Sequence, residues 1–332
     1  MNWAILTVTL FFCLIFAGYL LKVLNLNVAT KSNRSSHNSP AYISGGYFFI
    51  LGLLLMTILF PLSFEIRIIV YGAIIFGLIG VIDDLIEIHF KWKLISQILI
   101  TIFFLSKTGL YLTSLDFGFA IIYVGWGGLI ISTLAILLVV NAFNYFDGLD
   151  GLYLFMLLTM IATLQSFLPG SDYKDLFLAL GIMCLIFLIA NFAIIGIPKQ
   201  FLGDGGNYIL SFFISVFYLH SIQTNSFPVD FKGQVFGLWF FGLLFFEFLA
   251  VGINRLLQKK SIFSPDRSHL HHLILVKFNQ HALASFITTL IYFLLTLIGL
   301  VMTLYYPNFS FALFIFLMFV YLSIRVSPQL NK

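Results

Sequence analysis

Apolar stretches alternate with short polar breaks along the whole chain. Each stretch approaches the roughly 17 to 25 residues that a helix needs to cross the hydrocarbon core of a bilayer. The pattern therefore predicts an all-α polytopic membrane bundle with about eleven transmembrane helices, formed by one integral domain covering residues 1–332. The predicted spans are 3–24, 45–62, 67–82, 94–106, 119–140, 152–168, 175–197, 208–224, 234–253, 283–304 and 309–324.

The composition supports a membrane protein. Hydrophobic residues make up 61% of the 332 residues, charged residues 9%, and the mean hydropathy is +1.06. A soluble domain carries about 25% charged residues, so the lipid bilayer is the expected partner and nucleic acid is not. Cys13 and Cys184 both fall inside predicted spans, which indicates neither a disulfide nor a zinc framework. Glycines inside the spans, such as Gly77, Gly80 and Gly125, are interpreted as sites of close helix packing.

Basic residues collect in alternate connections. Eleven spans place the two termini on opposite sides, and one side then carries 13 of the 17 Lys and Arg residues. The positive-inside rule makes that side cytoplasmic, with the N-terminus outside and the C-terminus inside. The polar clusters fall on the same side, and we expect the active site there. They are residues 31–46, 83–84, 141–150, 203–207 and 254–272.

The stretch NAFNYFDGLDG, residues 141–151, places two carboxamides and two carboxylates at the end of an apolar run. An Asp at membrane depth costs roughly 2.5 to 3.5 kcal/mol, so a chain keeps it where it meets water, a metal or a substrate. Asn144, Asp147 and Asp150 are therefore site candidates. The alternative is an ordinary polar loop between two helices.

Two further clusters carry acidic residues. Asp83 and Asp84 follow GLIGVI at the end of the third span and suggest a divalent cation, a cationic substrate or a carboxyl that keeps its proton. The alternative is that both carboxylates simply lie in interfacial water beside Lys93.

The stretch FLGDGGN, residues 201–207, surrounds Asp204 with glycines whose amides can approach a phosphate at a helix N-terminus. Asp204 could bring magnesium, which prefers oxygen ligands; the alternative is a flexible turn.

The longest inner loop contains SPDRSHLHH, residues 264–272. Arg267, His269, His271 and His272 suit a pyrophosphate by charge and by hydrogen-bond donation. Zinc is a competing interpretation, which adjacent histidines and the lack of a nearby cysteine disfavour. The first inner loop adds a second basic patch with Arg34 and His37.

The succession GLIGVIDDL, NAFNYFDGLDGL, FLGDGGN and SPDRSHLHHL closely resembles the polyprenyl-phosphate N-acetylhexosamine-1-phosphate transferases (glycosyltransferase family 4). Its HLHH form resembles the branch that initiates O-antigen, enterobacterial common antigen and teichoic acid synthesis more than phospho-MurNAc-pentapeptide translocase. The resemblance implies a bacterial cytoplasmic membrane enzyme. It would transfer a sugar-1-phosphate from a UDP-N-acetylhexosamine to undecaprenyl phosphate and release UMP, with Mg²⁺, or alternatively Mn²⁺, as the cofactor.

The resemblance also implies roles for individual residues. Asp204 and Asn144 resemble metal or pyrophosphate contacts, and Asp83 resembles the group that assists attack by the lipid phosphate. Three more acidic residues match essential positions, and eight others match substrate-binding positions. The acidic residues are Asp84, Asp147 and Asp150; the substrate-binding residues are Phe201, Asn207, Arg34, His37, Arg267, His269, His271 and His272.

Some positions depart from the family pattern. The usual DxPNxRxxH of the first inner loop keeps its Arg and His as Arg34 and His37 but loses its Asp and Pro. Asn207 replaces a usual Ser, and Glu247 replaces a usual Asp. The donor sugar is therefore open between GlcNAc, FucNAc and QuiNAc, as is the formation of a homodimer. A CDP-alcohol phosphotransferase is disfavoured because its Ala-Arg does not follow Gly151. A lipid-carrier transporter is disfavoured because the acidic clusters lie at helix ends and not at mid-span.

Overall fold

The protein is described by a computed structural model that covers residues 2–24, 41–168, 171–224, 226–228, 230–261 and 268–326. This part of the chain forms thirteen α-helices. They are α1 (Asn2–Leu24), α2 (Gly45–Leu59), α3 (Phe64–Ile86), α4 (Phe90–Thr108), α5 (Gly127–Phe146), α6 (Leu152–Phe167), α7 (Ser171–Asn191), α8 (Gly203–Gln223), α9 (Gly233–Phe240), α10 (Gly242–Leu257), α11 (Leu270–Phe278), α12 (His281–Tyr305) and α13 (Pro307–Val326).

Four short strands accompany the helices. The strands β1 (Tyr42–Ile43) and β4 (Gln200–Phe201) pair in parallel, with Tyr42 opposite Gln200. The strands β2 (Ser114–Asp116) and β3 (Ile121–Tyr123) form an antiparallel hairpin. The first pair joins the segment before α2 to the segment before α8, so it fixes where both helices begin.

The predicted polytopic membrane bundle is confirmed. Six helices in the described ranges are long and apolar enough to cross a bilayer, namely α1, α3, α5, α7, α12 and α13. The consecutive helices α9 and α10 form a seventh candidate if they are counted as one span with a 56° bend. The helices α2 and α6 are apolar but shorter, with 15 and 16 residues. The expected count of eleven spans is not confirmed.

Two predicted spans differ from the structure. The span expected at 119–140 begins as strand β3, and its helix starts only at Gly127. The hairpin is held by Asp116, whose backbone amide donates to Gln234 and whose carboxylate pairs with Lys232. The span expected at 234–253 is interrupted at Phe241, which lies between α9 and α10. Hydropathy alone marks apolar length and does not detect such breaks.

Helix α8 is the centre of the bundle. Every residue from Gly205 to Ser221 is buried, so this helix is surrounded on all sides. Its most extensive contact is with α3, and α2 and α5 also pack against it. The residues at its N-terminus are therefore held by several neighbouring helices at once.

Glycines permit the close contact between α3 and α8. A Cβ atom added to Gly80 would lie 2.3 Å from the backbone oxygen of Asp204, and one added to Gly77 would lie 2.0 Å from the Ile209 side chain. The packing interpretation is thus confirmed for these two residues. It is wrong for Gly125, where a Cβ meets nothing within 4 Å and φ is +51°; this glycine serves a turn before α5.

We expect Gly80→Ala to destabilise the protein by about 1 to 3 kcal/mol, because the added methyl group meets backbone that cannot rotate away. The control is Gly181→Ala in α7, where a Cβ meets nothing within 4 Å. Thermal unfolding in detergent measures both. A melting temperature of Gly80→Ala equal to that of the control would contradict the close approach of α3 and α8.

Candidate active site

Asp204, in the first turn of α8, collects contacts from three other helices. Its Oδ2 atom lies 2.6 Å from the Lys93 ammonium of α4, and its Oδ1 atom accepts a 2.7 Å hydrogen bond from the Asn144 amide of α5. The same Lys93 ammonium pairs with Asp83 at the end of α3. Two carboxylates thus converge on one cation where α3, α4, α5 and α8 meet.

Asp84 caps the N-terminus of α8. Its two carboxylate oxygens accept hydrogen bonds of 2.9 Å from the backbone amides of Asp204 and Gly205. Amides at a helix start lack partners within their own helix and favour a negative charge. The sequence predicted an anion at this terminus. For these two amides, that anion is the Asp84 carboxylate of the chain itself.

Asp83 is engaged through both oxygens. Oδ1 accepts a 2.8 Å hydrogen bond from the backbone amide of Ile88, and Oδ2 pairs with Lys93. The first contact closes the turn between α3 and α4. Asp83 therefore links α3, which also carries Asp84, to α4, which carries Lys93.

The loop from Asp147 to Gly151, called here the acidic loop, lies beside this cluster. Asp150 is buried and pairs with the Lys199 ammonium at 2.7 Å. Asn191 of α7 accepts a 2.7 Å hydrogen bond from the Gly151 amide and donates one of 3.0 Å to the carbonyl of Gln200. Asn191 therefore joins the acidic loop to β4.

Asp147 is the exposed member of the acidic group. Asp204, Asp84 and Asp150 all lie close enough to repel its carboxylate electrostatically. This concentration of negative charge favours a cation at the open side of the site.

The histidines lie over the acidic loop. A Cβ atom added to Gly148 would lie 3.0 Å from Nε2 of His271 and 3.2 Å from Nε2 of His272. The rings of His269 and His271 stack with their centroids 5.7 Å apart, and the ring of Tyr145 lies 4.9 Å from that of His269. The absence of a side chain at Gly148 therefore lets two imidazoles approach the acidic residues.

His271 is fully buried. Burial, with additional repulsion from His272, His269 and Arg325, holds the pKa of His271 well below its ordinary value. The ring is consequently neutral near pH 7, and it can serve a phosphate by hydrogen bonding and not by charge. Neither of its nitrogens has a hydrogen-bond partner among the residues that the structure describes.

The structure brings together most of the predicted site residues, namely Asp83, Asp84, Asn144, Asp147, Asp150, Asp204, His269, His271 and His272. Phe201 lies at the edge, with the Lys199 ammonium 5.5 Å from the centroid of its ring. Asn207 lies further along α8, fully buried, and its backbone carbonyl accepts a hydrogen bond from the Tyr153 hydroxyl. Arg34, His37 and Arg267 lie outside the described residues.

Sequence reasoning missed several residues of the site. Lys93 was considered only as a neighbour in interfacial water, although a lysine in the first turn of a helix opposes the helix dipole and is a usable signal. Lys199 and Asn191 gave no comparable signal. The contact of Arg325 with Glu247 depends on the tertiary structure.

The donor set suits magnesium. Within the described ranges, no three His, Cys, Asp or Glu side chains surround one metal position. Asp83 and Asp204 nevertheless converge on a single cation, the Lys93 ammonium. Magnesium is typically held by one or two carboxylates together with waters and substrate phosphates, and Asp83 with Asp204 matches the carboxylate part of such a site.

Comparison with known proteins agrees with this architecture. The model of glycosyl transferase family 4 matches residues 66–222. A Yersinia pestis protein named undecaprenyl-phosphate alpha-N-acetylglucosaminyl 1-phosphate transferase is 30% identical over 236 residues, which cover 69% of this chain and 63% of that protein. A Bacillus subtilis protein, named a probable undecaprenyl-phosphate N-acetylglucosaminyl 1-phosphate transferase, is 27% identical over 316 residues, or 92% of this chain and 86% of the relative.

The fold and the site define a multi-pass helical membrane protein that gathers carboxylates, lysines and imidazoles at the ends of its helices. Within that class, the family match and the relatives agree on one assignment. Residues 66–222 are similar to glycosyl transferase family 4, and the chain spans 63% of the length of the Yersinia pestis relative.

The low pKa of His271 predicts a loss of stability in acid. Below the ordinary histidine pKa of about 6.5 the unfolded chain binds a proton that the native chain does not, which costs up to about 1.4 kcal/mol per pH unit. We expect the fall in melting temperature from about pH 7.5 to 5.5 to be smaller in His271→Gln than in the wild type. His89→Gln, at an exposed histidine, is the control. Equal losses in wild type and His271→Gln would refute a buried neutral ring.

Proposed function

We propose that the protein transfers N-acetylglucosamine-1-phosphate from UDP-GlcNAc to undecaprenyl phosphate. The arrangement that carries the proposal is the pair Asp83 and Asp204 around Lys93, beside an acidic loop covered by His271 and His272. Such a site offers both a cation position and hydrogen-bond donors for phosphates. The names of the relatives supply the substrates.

In the proposed reaction, an oxygen of the lipid phosphate attacks the β-phosphorus of the UDP-sugar. The bond from that phosphorus to the bridging oxygen breaks, and the oxygen leaves with UMP. Bond formation and bond cleavage balance without an added reactant, giving undecaprenyl-pyrophosphoryl-GlcNAc. The lipid phosphate is already anionic at neutral pH, so charge neutralisation and alignment matter more than a strong base.

We assign Asp83 a holding role in preference to that of a general base. Both of its oxygens are engaged, one by the Ile88 amide and one by Lys93. Asp83 and Asp204 already share one cation, the Lys93 ammonium. The position of Asp83 therefore suits holding a cation together with Asp204.

Magnesium is the proposed cofactor, held by Asp83 and Asp204 with Asn144 beside them. When bound, it would neutralise charge on the pyrophosphate. Around it, Lys93 offers a second positive charge and His271 offers ring nitrogens to the phosphate oxygens. Asp84 keeps the backbone of α8 in place through two amides.

The proposed location is the bacterial cytoplasmic membrane, with the site facing the cytoplasm, the N-terminus outside and the C-terminus inside. The distribution of Lys and Arg residues supports this orientation. GlcNAc is favoured over FucNAc and QuiNAc because both relatives named above carry N-acetylglucosaminyl in their names. The product would begin O-antigen or another cell-envelope polysaccharide.

The deciding experiment is UMP release by the purified protein with undecaprenyl phosphate, Mg²⁺ and a panel of UDP-N-acetylhexosamines. We expect release with UDP-GlcNAc that stops on chelation and in Asp204→Asn. Asp116→Asn is the matched control, since it removes a paired carboxylate from the β2–β3 hairpin, away from the acidic loop. Release with a different sugar alone would correct the donor, and no release with any sugar from folded protein would reject the proposed reaction.

Lys93→Gln should lower turnover by about 100-fold or more, because it removes the charge that offsets Asp83 and Asp204. Lys107→Gln is the control, since Lys107 lies in the last turn of the same helix. Turnover is measured by UMP release at saturating substrates. Wild-type turnover in Lys93→Gln would exclude this lysine from the machinery.

A further inference from the structure

Glu247 of α10 is a buried carboxylate that does not belong to the acidic cluster, as we call the group Asp83, Asp84, Asp147, Asp150 and Asp204. Only 1% of its surface is exposed, yet its oxygens are fully engaged. Oε1 accepts a hydrogen bond from the hydroxyl of Tyr321 and lies 3.0 Å from Nε of Arg325. A carboxylate this deeply buried is tolerated because charge and hydrogen bonds compensate it.

The second oxygen of Glu247 holds the segment that leads into the histidines. Oε2 accepts a 2.8 Å hydrogen bond from the backbone amide of Leu270, the first residue of α11, and lies 3.6 Å from Nδ1 of His269. The guanidinium of Arg325 donates a 2.6 Å hydrogen bond to the carbonyl of Ser268. Residues 268–270 are therefore fixed from α10 and from α13 together.

This fixed segment is directly followed by His271 and His272. Their Nε2 atoms lie beside Gly148 of the acidic loop. Because α11 is a continuous helix from Leu270, a displacement of its first residue moves both imidazoles with it. The carboxylate of Glu247 and the imidazoles are thus connected through a few residues of backbone.

We propose that Glu247, Tyr321 and Arg325 form a positioning cluster that sets the distance between the histidines and the acidic loop, and thereby the affinity for the pyrophosphate of the nucleotide-sugar donor. None of the three is assigned a contact with substrate. The donor part of this inference rests on the proposed function, and the anchoring of residues 268–272 stands independently of it.

The test uses the double variant Glu247→Gln/Arg325→Gln in the full-length protein. Replacing both partners leaves no buried charge without its counter-ion, so the fold is expected to persist. Tyr321→Phe, which removes one hydrogen bond and keeps the ion pair, is the milder second variant. Asp116→Asn is the control for the loss of a carboxylate elsewhere.

Two measurements are made on each variant. Hydrogen–deuterium exchange follows the peptide covering residues 268–278, and steady-state kinetics give KM separately for the donor and for undecaprenyl phosphate. We expect faster exchange of this peptide in the double variant. We also expect a donor KM raised by about tenfold or more with the lipid KM unchanged, because a small misplacement of a binding group is costly.

A second test asks whether the cluster acts through the histidines. In a His271→Ala background the double substitution should raise the donor KM much less than in the wild-type background, since the group it positions is already gone. If the double substitution raises the donor KM by the same factor in both backgrounds, the cluster does not act through His271.

The remaining outcomes separate the two parts of the proposal. Unchanged exchange of residues 268–278 overturns the anchoring. Faster exchange with an unchanged donor KM overturns the positioning role. A decrease confined to kcat overturns it as well, because a smaller amount of folded protein would explain that decrease. Absence of turnover by the wild type with every donor rejects the proposed function and the donor part, while the exchange result still decides the anchoring.

Discussion

The site depends on the direct backbone contact between α3 and α8. Gly80 brings the two helices so close that Asp84, four residues further along α3, reaches the amides of Asp204 and Gly205. That contact fixes Asp204 relative to Asp83, and Lys93 then connects the two carboxylates. A larger residue at position 80 would separate the helices, and the geometry of the acidic cluster would be lost with them.

Charge balance explains why so many acids can share this site. Asp83 and Asp204 share one lysine, Asp150 has another, and Asp84 is stabilised by the amides of a helix N-terminus. Asp147 has exposed surface and is repelled by three neighbours. The excess negative charge therefore lies at the open side, where a cation and the phosphates it accompanies would compensate it.

The histidines depend on a separate support. Glu247 and Arg325, which belong to α10 and α13, hold the segment that leads into them. The two halves of the site thus rest on different helices and meet over Gly148. This division makes the gap between acids and imidazoles sensitive to how α10 and α13 pack together.

The amino-acid sequence by itself determined the helical membrane class and the residue types of the site, because bilayer-length apolar runs and clustered polar groups are local properties of the chain. It also predicted that the polar clusters lie on one side of the membrane, and the tertiary structure brings nine of the predicted site residues together there. The roles of Lys93, Asn191 and Arg325, the burial of Asn207 and the break at Phe241 were decided by the tertiary structure. Those features arise from contacts between residues far apart in sequence, and no local pattern records which helix ends will meet.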